Sequence, residues 1–110
     1  MLFDDWEEQS TGKEVYEHLF WEYDMSDFDW EKMKKLVVQR IIERGGMDDF
    51  YAAIRIYGGI KNFKDIIREI RYLSERDIAF VCTVFDLNKE ELLCYRRKQW
   101  RKEHLSSLQP

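Results

Sequence analysis

The residue types that carry most enzyme and metal chemistry are scarce in this chain and lie far apart. The two histidines, His18 and His104, sit near opposite ends, and the two cysteines, Cys82 and Cys94, are twelve positions apart. Neither pair has the close ligand spacing of a zinc site, and no acid–base–nucleophile pattern ties the histidines together. The acid pairs Asp4-Asp5, Asp48-Asp49 and Glu90-Glu91 are adjacent in sequence. On a helix such neighbours point to different sides and form no catalytic dyad alone. Gly58-Gly59-Ile60-Lys61-Asn62 has the glycines of a phosphate loop but lacks its length and its Lys-Ser/Thr ending. The expectation is therefore a non-enzyme with no catalytic residue, no metal site and no cofactor.

What remains is binding chemistry at two ends. Residues 1–31 hold eleven acids and one base, a net of −10, and residues 32–110 hold eleven acids and seventeen bases, a net of +6, together −4. The acidic segment either packs on the basic body or forms an arm that competes with an anionic partner for it. Phe3, Trp6, Tyr16, Phe20, Trp21, Tyr23, Phe28 and Trp30 crowd into the same segment. A small bundle does not readily bury that many rings, and the remainder makes a partner-binding patch. Trp6, Trp21, Tyr23 and Asp24 are the candidate contacts, and the partner they suit is a basic protein.

At the other end, Tyr95 to Lys102 places five cations and two aromatics in eight residues. Such a stretch can neutralise phosphates and stack on bases, although cations near a helix C-terminus are also favourable for the dipole alone. Lys89, Arg96, Arg97, Lys98, Trp100 and Arg101 are the candidate nucleic-acid contacts. Upstream, Val81, Phe85-Asp86-Leu87-Asn88 and Leu92 resemble the turn and second helix of a helix-turn-helix. Asp86 stands where that motif favours glycine, and Glu90 and Glu91 are acidic where phosphate would lie. Plain hairpin packing of residues 74–98 is the competing account. The alternative function is thus a DNA-binding regulator using that hairpin and the basic tail.

The elements that must position these ends are helical. One proline and five glycines in 110 residues leave little material for all-β turns, and 45% hydrophobic content is too rich for disorder. The predicted fold is all-α, a single compact irregular (orthogonal) bundle of five or six short helices spanning 1–110, with 1–10 and 106–110 frayed. A first helix is predicted over Gly12 to Glu22 from the Thr11–Glu14 capping spacing and the Val15, Leu19, Tyr23 face. A second starts at Asp27 to Asp29 and runs to Arg44, burying Trp30, Met33, Val37 and Ile41, with Gly45-Gly46 as a left-handed stop. A third runs from an Asp48 cap to Tyr57, with Phe50 and Ile54 inside and Gly58-Gly59 ending it. A fourth covers Ile60 to Tyr72, with a basic ridge at Lys61, Lys64, Arg68 and Arg71. Ser74 with Asp77, and Asn88 with Glu91, start the fifth and sixth helices. The apolar run Ile78 to Phe85 predicts that the fifth is the central helix. Cys82 lies in that run and is expected to be a core thiol rather than a crosslink. The N-terminus has no basic, apolar leader and no stretch is long enough for a membrane span, so a cytoplasmic location is expected.

Leu19-Phe20-Trp21-Glu22-Tyr23-Asp24, Asp29-Trp30-Glu31-Lys32 and Val38 to Gly45, followed by Leu73-Ser74, Phe85 to Glu91 and Cys94-Tyr95, form a combination with a counterpart elsewhere. It resembles a family of small, functionally uncharacterised bacterial helical proteins across most of residues 19–95. The resemblance implies association with nucleotidyltransferase-type toxin genes and hence an antitoxin-like or accessory role beside a basic toxin-like enzyme. It supplies no catalytic or binding residues to transfer.

Overall fold

Val37, Val38 and Ile41 have no exposed surface, and the helix that carries them, α2 (Lys34–Arg44), is the one the others surround. The computed structural model describes residues 2–108, with side chains through His104. The remaining helices are α1 (Trp6–Gln9), α3 (Met47–Ile56), α4 (Ile60–Glu69), α5 (Glu75–Val84) and α6 (Leu93–Leu108). Short 3-10 turns lie at Glu17–Phe20, Met25–Asp27 and Lys89–Glu91, and no strand occurs among the described residues. The fold is an all-α bundle.

The central position belongs to α2, not to the apolar run of α5. Helix α2 packs against α3, α4, α5 and the Glu17–Phe20 turn, whereas α5 buries Asp77, Ile78 and Val81 and leaves Ala79, Phe80 and Thr83 exposed. A run of apolar residues records composition; α2 carries apolar residues on two adjoining faces and so can be covered from several sides. Helix α2 also starts later than predicted. Asp29 caps the preceding turn, its carboxylate accepting the Lys32 N–H at 3.0 Å, while the Met33 N–H donates to the Asp29 carbonyl at 2.9 Å.

The predicted first helix is absent. Residues 13–16 lie in no helix and only Glu17–Phe20 forms a 3-10 turn. Side chains from α3 compete for this backbone. Arg55 donates to the carbonyls of Ser10 and, at 2.6 Å, Lys13, and Asp49 accepts the Tyr16 N–H at 2.8 Å. Residues 10–16 are therefore a strap pinned across α3. The acidic segment packs on the body rather than standing off as an arm.

The expected fraying of 1–10 is likewise replaced by order. Phe3 is fully buried, stacked between Phe50 and Phe85 at centroid distances of 5.3 and 5.4 Å and edge-on to Tyr51 at 5.1 Å. Tyr51 reinforces the contact by donating its hydroxyl to Asp5 at 2.8 Å. At the other end α6 continues through Leu108, past the expected start of fraying at 106, and residues 109–110 lie outside the described residues.

The two double glycines do different jobs. Gly45 and Gly46 are extended, not left-handed, and a Cβ on Gly45 would lie 2.8 Å from the Ile41 carbonyl oxygen. Close approach is what Gly45 permits, and Gly46 rather than Asp48 stands at the start of α3, its N–H bonded to the Asp49 carboxylate at 2.9 Å. Gly58 and Gly59 do take positive φ, closing α3 through Gly58 N–H to Arg55 O and Gly59 N–H to Ile54 O, the paired bonds of a Schellman stop. Helix α4 ends at Glu69, short of Tyr72, because the backbone turns extended at Ile70 to bury Ile70 and Leu73.

Ser74 caps α5 as predicted, its hydroxyl accepting the Asp77 N–H at 3.1 Å. The α5 C-terminus repeats the Schellman geometry with Asp86 as its left-handed residue, φ 53°, and the Leu87 N–H bonded to the Cys82 carbonyl at 3.0 Å. Asp tolerates this region better than most residues but still carries a Cβ penalty that glycine lacks. Asp86→Gly is expected to raise stability by about 1 kcal/mol, read as a higher chemical-denaturation midpoint at unchanged slope. An equal or lower midpoint would refute a strained corner. Beyond it, α6 begins at Leu93 rather than at Asn88. The Asn88–Glu91 pattern instead closes the Lys89–Glu91 turn, with the Glu91 carboxylate accepting the Asn88 N–H at 2.7 Å.

Candidate functional site

A wide, open groove of about 1150 Å³ lies between the N-terminal strap and the start of α3. The strap contributes Tyr16, the Glu17–Phe20 turn and the loop after it contribute His18, Trp21 and Tyr23, and α3 contributes Met47. Trp21 is 77% exposed and Tyr16 60%, with Met47 and Tyr23 also open to solvent. Glu14, Glu17, Asp48 and Asp49 line the same groove, and no lysine or arginine does. It is an aromatic surface with an acidic rim.

Each wall is fixed by bonds distant in sequence. Asp49 joins the two walls directly, one carboxylate oxygen on the Tyr16 N–H and the other on the Gly46 N–H. Lys13 pairs with Asp48 at 3.2 Å and places its ammonium over the Tyr51 ring. Behind Trp21, Phe20 is fully buried against Phe28 and Trp30, so the loop carrying the exposed indole is anchored by its neighbour. Arg40 of α2 holds the same loop by donating to the Leu19 carbonyl at 2.7 Å and to the Glu22 carboxylate. Tyr57 donates to the Trp30 carbonyl at 2.8 Å, and burial pushes its hydroxyl pKa well above the ordinary value.

The hydrogen bond from Arg40 holds the Glu22 carboxyl below its ordinary value of 4.5. A carboxylate lowered in the folded state stabilises the fold at pH above that ordinary value, and the contribution is lost as pH falls through the lowered one. An NMR titration of the Glu22 side chain should show the lowered midpoint, and Arg40→Met should return it upward. A midpoint unchanged by Arg40→Met would show that the pair does not form in solution.

Among the four expected partner contacts, the groove brings together Trp21 and Tyr23 and leaves out Trp6 and Asp24. Trp6 is half-buried with its ring over Gly59, 3.3 Å from where a Cβ would sit, so it serves the α3–α4 corner. Asp24 is exposed, but its carboxylate is occupied by the Ser26 N–H at 3.0 Å and hydroxyl at 2.7 Å, bonds that lower its pKa. Met47, His18 and Asp48 are groove residues that sequence reasoning missed. His18 lies against Tyr16 at 4.9 Å between ring centroids.

The basic candidates divide between two faces. Lys89 lies over the Tyr95 ring and Lys98 over the Tyr72 ring, at 5.3 and 5.5 Å. Arg97 donates to the Arg71 carbonyl at 2.8 Å, while Arg96, Trp100 and Arg101 are exposed on α6. Within the predicted α4 ridge, Arg68 is spent in the fold, pairing with Asp65 at 2.6 Å and Glu91 at 3.3 Å, while Lys61 and Arg71 are exposed. The helix-turn-helix reading meets a longer connection than that motif uses: residues 85–92 separate α5 from α6, against a turn of three or four.

Among the described residues no helix is long and apolar enough to cross a membrane, and no group of three or more His, Cys, Asp or Glu is placed to hold a metal ion. No curated protein and no solved structure matches the chain. A model for a family of unknown function (DUF6922) matches residues 16–67, from Tyr16 of the groove to Ile67 of α4, so over that span the chain is similar to an uncharacterised family.

Proposed function

We propose that the protein is a non-enzymatic interaction module of the cytoplasm, antitoxin-like in role, whose groove receives a basic segment of a partner protein. A toxin-like enzyme is the partner class that the resemblance implies. The observation that carries this reading is Trp21, an indole held 77% exposed on an anchored loop beside Tyr16, Tyr23 and Met47. Large aromatic side chains on a fixed frame lose little entropy on binding, and Trp and Tyr dominate interface energetics. Their faces also attract Lys and Arg. The acidic rim complements the same cations and would speed encounter in a salt-dependent way.

The test places a photocrosslinking amino acid at position 21 in the native host, with position 72 as an exposed control on another face. The expected result is one discrete protein adduct at 21 and none at 72, with the contact mapping to a Lys/Arg-rich segment. Against the purified partner, Tyr16→Ala with Trp21→Ala should weaken binding at least about thirtyfold, the effect of one interface hot spot, with helical content unchanged. Equal labelling at both positions, or an unchanged affinity of the double variant, would refute the groove.

A further inference from the structure

Helix α6 poses a problem that the groove does not address. Its first turns pack against α4 and the Lys89–Glu91 turn, but every residue from Trp100 to His104 is exposed. The molecule measures 57 × 33 × 19 Å, elongated beyond the proportions of a round bundle. A helical segment with no buried face gains nothing from tertiary packing, which supplies most helical stability in proteins.

The charge pattern makes the segment less stable still. Residues 96–103 hold five cations and one acid. The charged i, i+4 pairs there are Arg97–Arg101 and Lys98–Lys102, both like-charged, and each costs a few tenths of a kcal/mol. A polyanion would relieve both penalties at once. The side chains also have an ordered face. Arg96, Arg97, Trp100, Arg101 and His104 follow i, i+1, i+4, i+5, i+8 spacing and share one side of the helix. Trp100, 59% exposed, stacks on His104 at 3.8 Å, and a His104 ring nitrogen bonds the Trp100 carbonyl at 2.8 Å, which stiffens the centre of that face.

We propose that α6 enters the major groove of duplex DNA on this face. Arg96, Arg97 and Arg101 contact phosphates and guanine edges, with the Trp100–His104 stack between them. A lone α-helix has the width the major groove admits, and arginine is the side chain that pairs bidentately with guanine there. The contact uses the middle and outer part of α6, away from Glu90 and from Glu91, which Arg68 already holds. It is independent of the Trp21 groove, which lies on the strap and α3.

The test is fluorescence anisotropy of the full chain with labelled duplex DNA over a series of salt concentrations. Log affinity should fall linearly with log salt, with a slope of about −3 for three to four phosphate contacts. Arg97→Ala with Arg101→Ala should weaken binding about tenfold or more and make the slope shallower by about 0.9 per contact removed. Arg97 also donates to the Arg71 carbonyl, so Arg101→Ala alone, at an exposed position, should weaken binding too, with an unchanged melting curve. Lys61→Ala with Lys64→Ala, on an exposed and a half-buried α4 position, should change affinity less than about threefold. The proposal is overturned by no binding at low salt, by heparin competing as well as duplex, by tighter binding to single-stranded RNA, or by wild-type affinity in the Arg97/Arg101 variant.

Discussion

Phe3→Ala should destabilise the protein by about 3–5 kcal/mol, the range for emptying a fully buried aromatic site. Phe3 is the ring that closes the core at the N-terminal end, filling the space between Phe50 of α3 and Phe85 beyond α5. Alanine leaves a ring-sized void, and neither neighbour can shift far to fill it. Phe50 is committed to Phe63 and Phe80, and Phe85 to Phe63. In a chain this size the loss corresponds to a fall in melting temperature on the order of 10–20 °C. Leu2→Ala, one residue away but exposed, should change stability by no more than about 0.5 kcal/mol. A Phe3→Ala protein that melts with the wild type would mean that the first ten residues are a loose lead after all. The result also bears on function, because the strap that carries Tyr16 and leads to Trp21 leaves the body through this segment.

The comparison of Phe3 with Ile78–Phe85 shows where sequence patterns carry information. Local grammar was legible: the Ser74 cap, the left-handed Gly58-Gly59 stop, the buried stripe of α2 and the Phe85 to Leu87 corner all depend on residues within a turn of one another. The apolar run of α5 misled because periodicity reports which residues want burial, not which helix has neighbours on several sides. The Thr11–Glu14 spacing misled for a related reason. Its capping bonds compete with Arg55 and Asp49, which lie more than thirty residues away and hold the strap in a non-helical path.

The groove was half legible on the same grounds. The aromatic surplus in the acidic third pointed to Trp21 and Tyr23. Met47 and Asp48 join them only because Asp49 bridges Tyr16 to the start of α3, a link that no local pattern encodes. Residue type alone places Trp6 with the contacts, because its packing partner Gly59 lies fifty-three positions later.

That packing makes Gly59→Val the second large effect, a loss of about 3 kcal/mol or more. Gly59 has φ 120° and ψ 174°, a region essentially reserved for glycine, where a side chain costs about 1–3 kcal/mol in strain alone. A Cβ there also meets the Trp6 ring at 3.3 Å, and the branched methyls of valine drive further into it. The backbone cannot rotate away cheaply, because the Gly59 N–H closes α3 on Ile54 while its carbonyl accepts the Phe63 N–H that opens α4. Gly58→Ala makes the comparison sharp. Gly58 has φ 87°, nearer the ordinary left-handed region, and its Cβ would meet only the Asn62 amide at 2.9 Å, the end of a side chain that can swing aside by giving up its bond to the Tyr57 carbonyl. Its cost should be about 1 kcal/mol. The predicted order in denaturant midpoints is wild type, then Gly58→Ala, then Gly59→Val, and quenching or shift of Trp6 fluorescence should accompany only the last. If the two variants were equally stable, Trp6 would not be seated on the α3–α4 corner, and its place would revert to the partner surface where its residue type first put it.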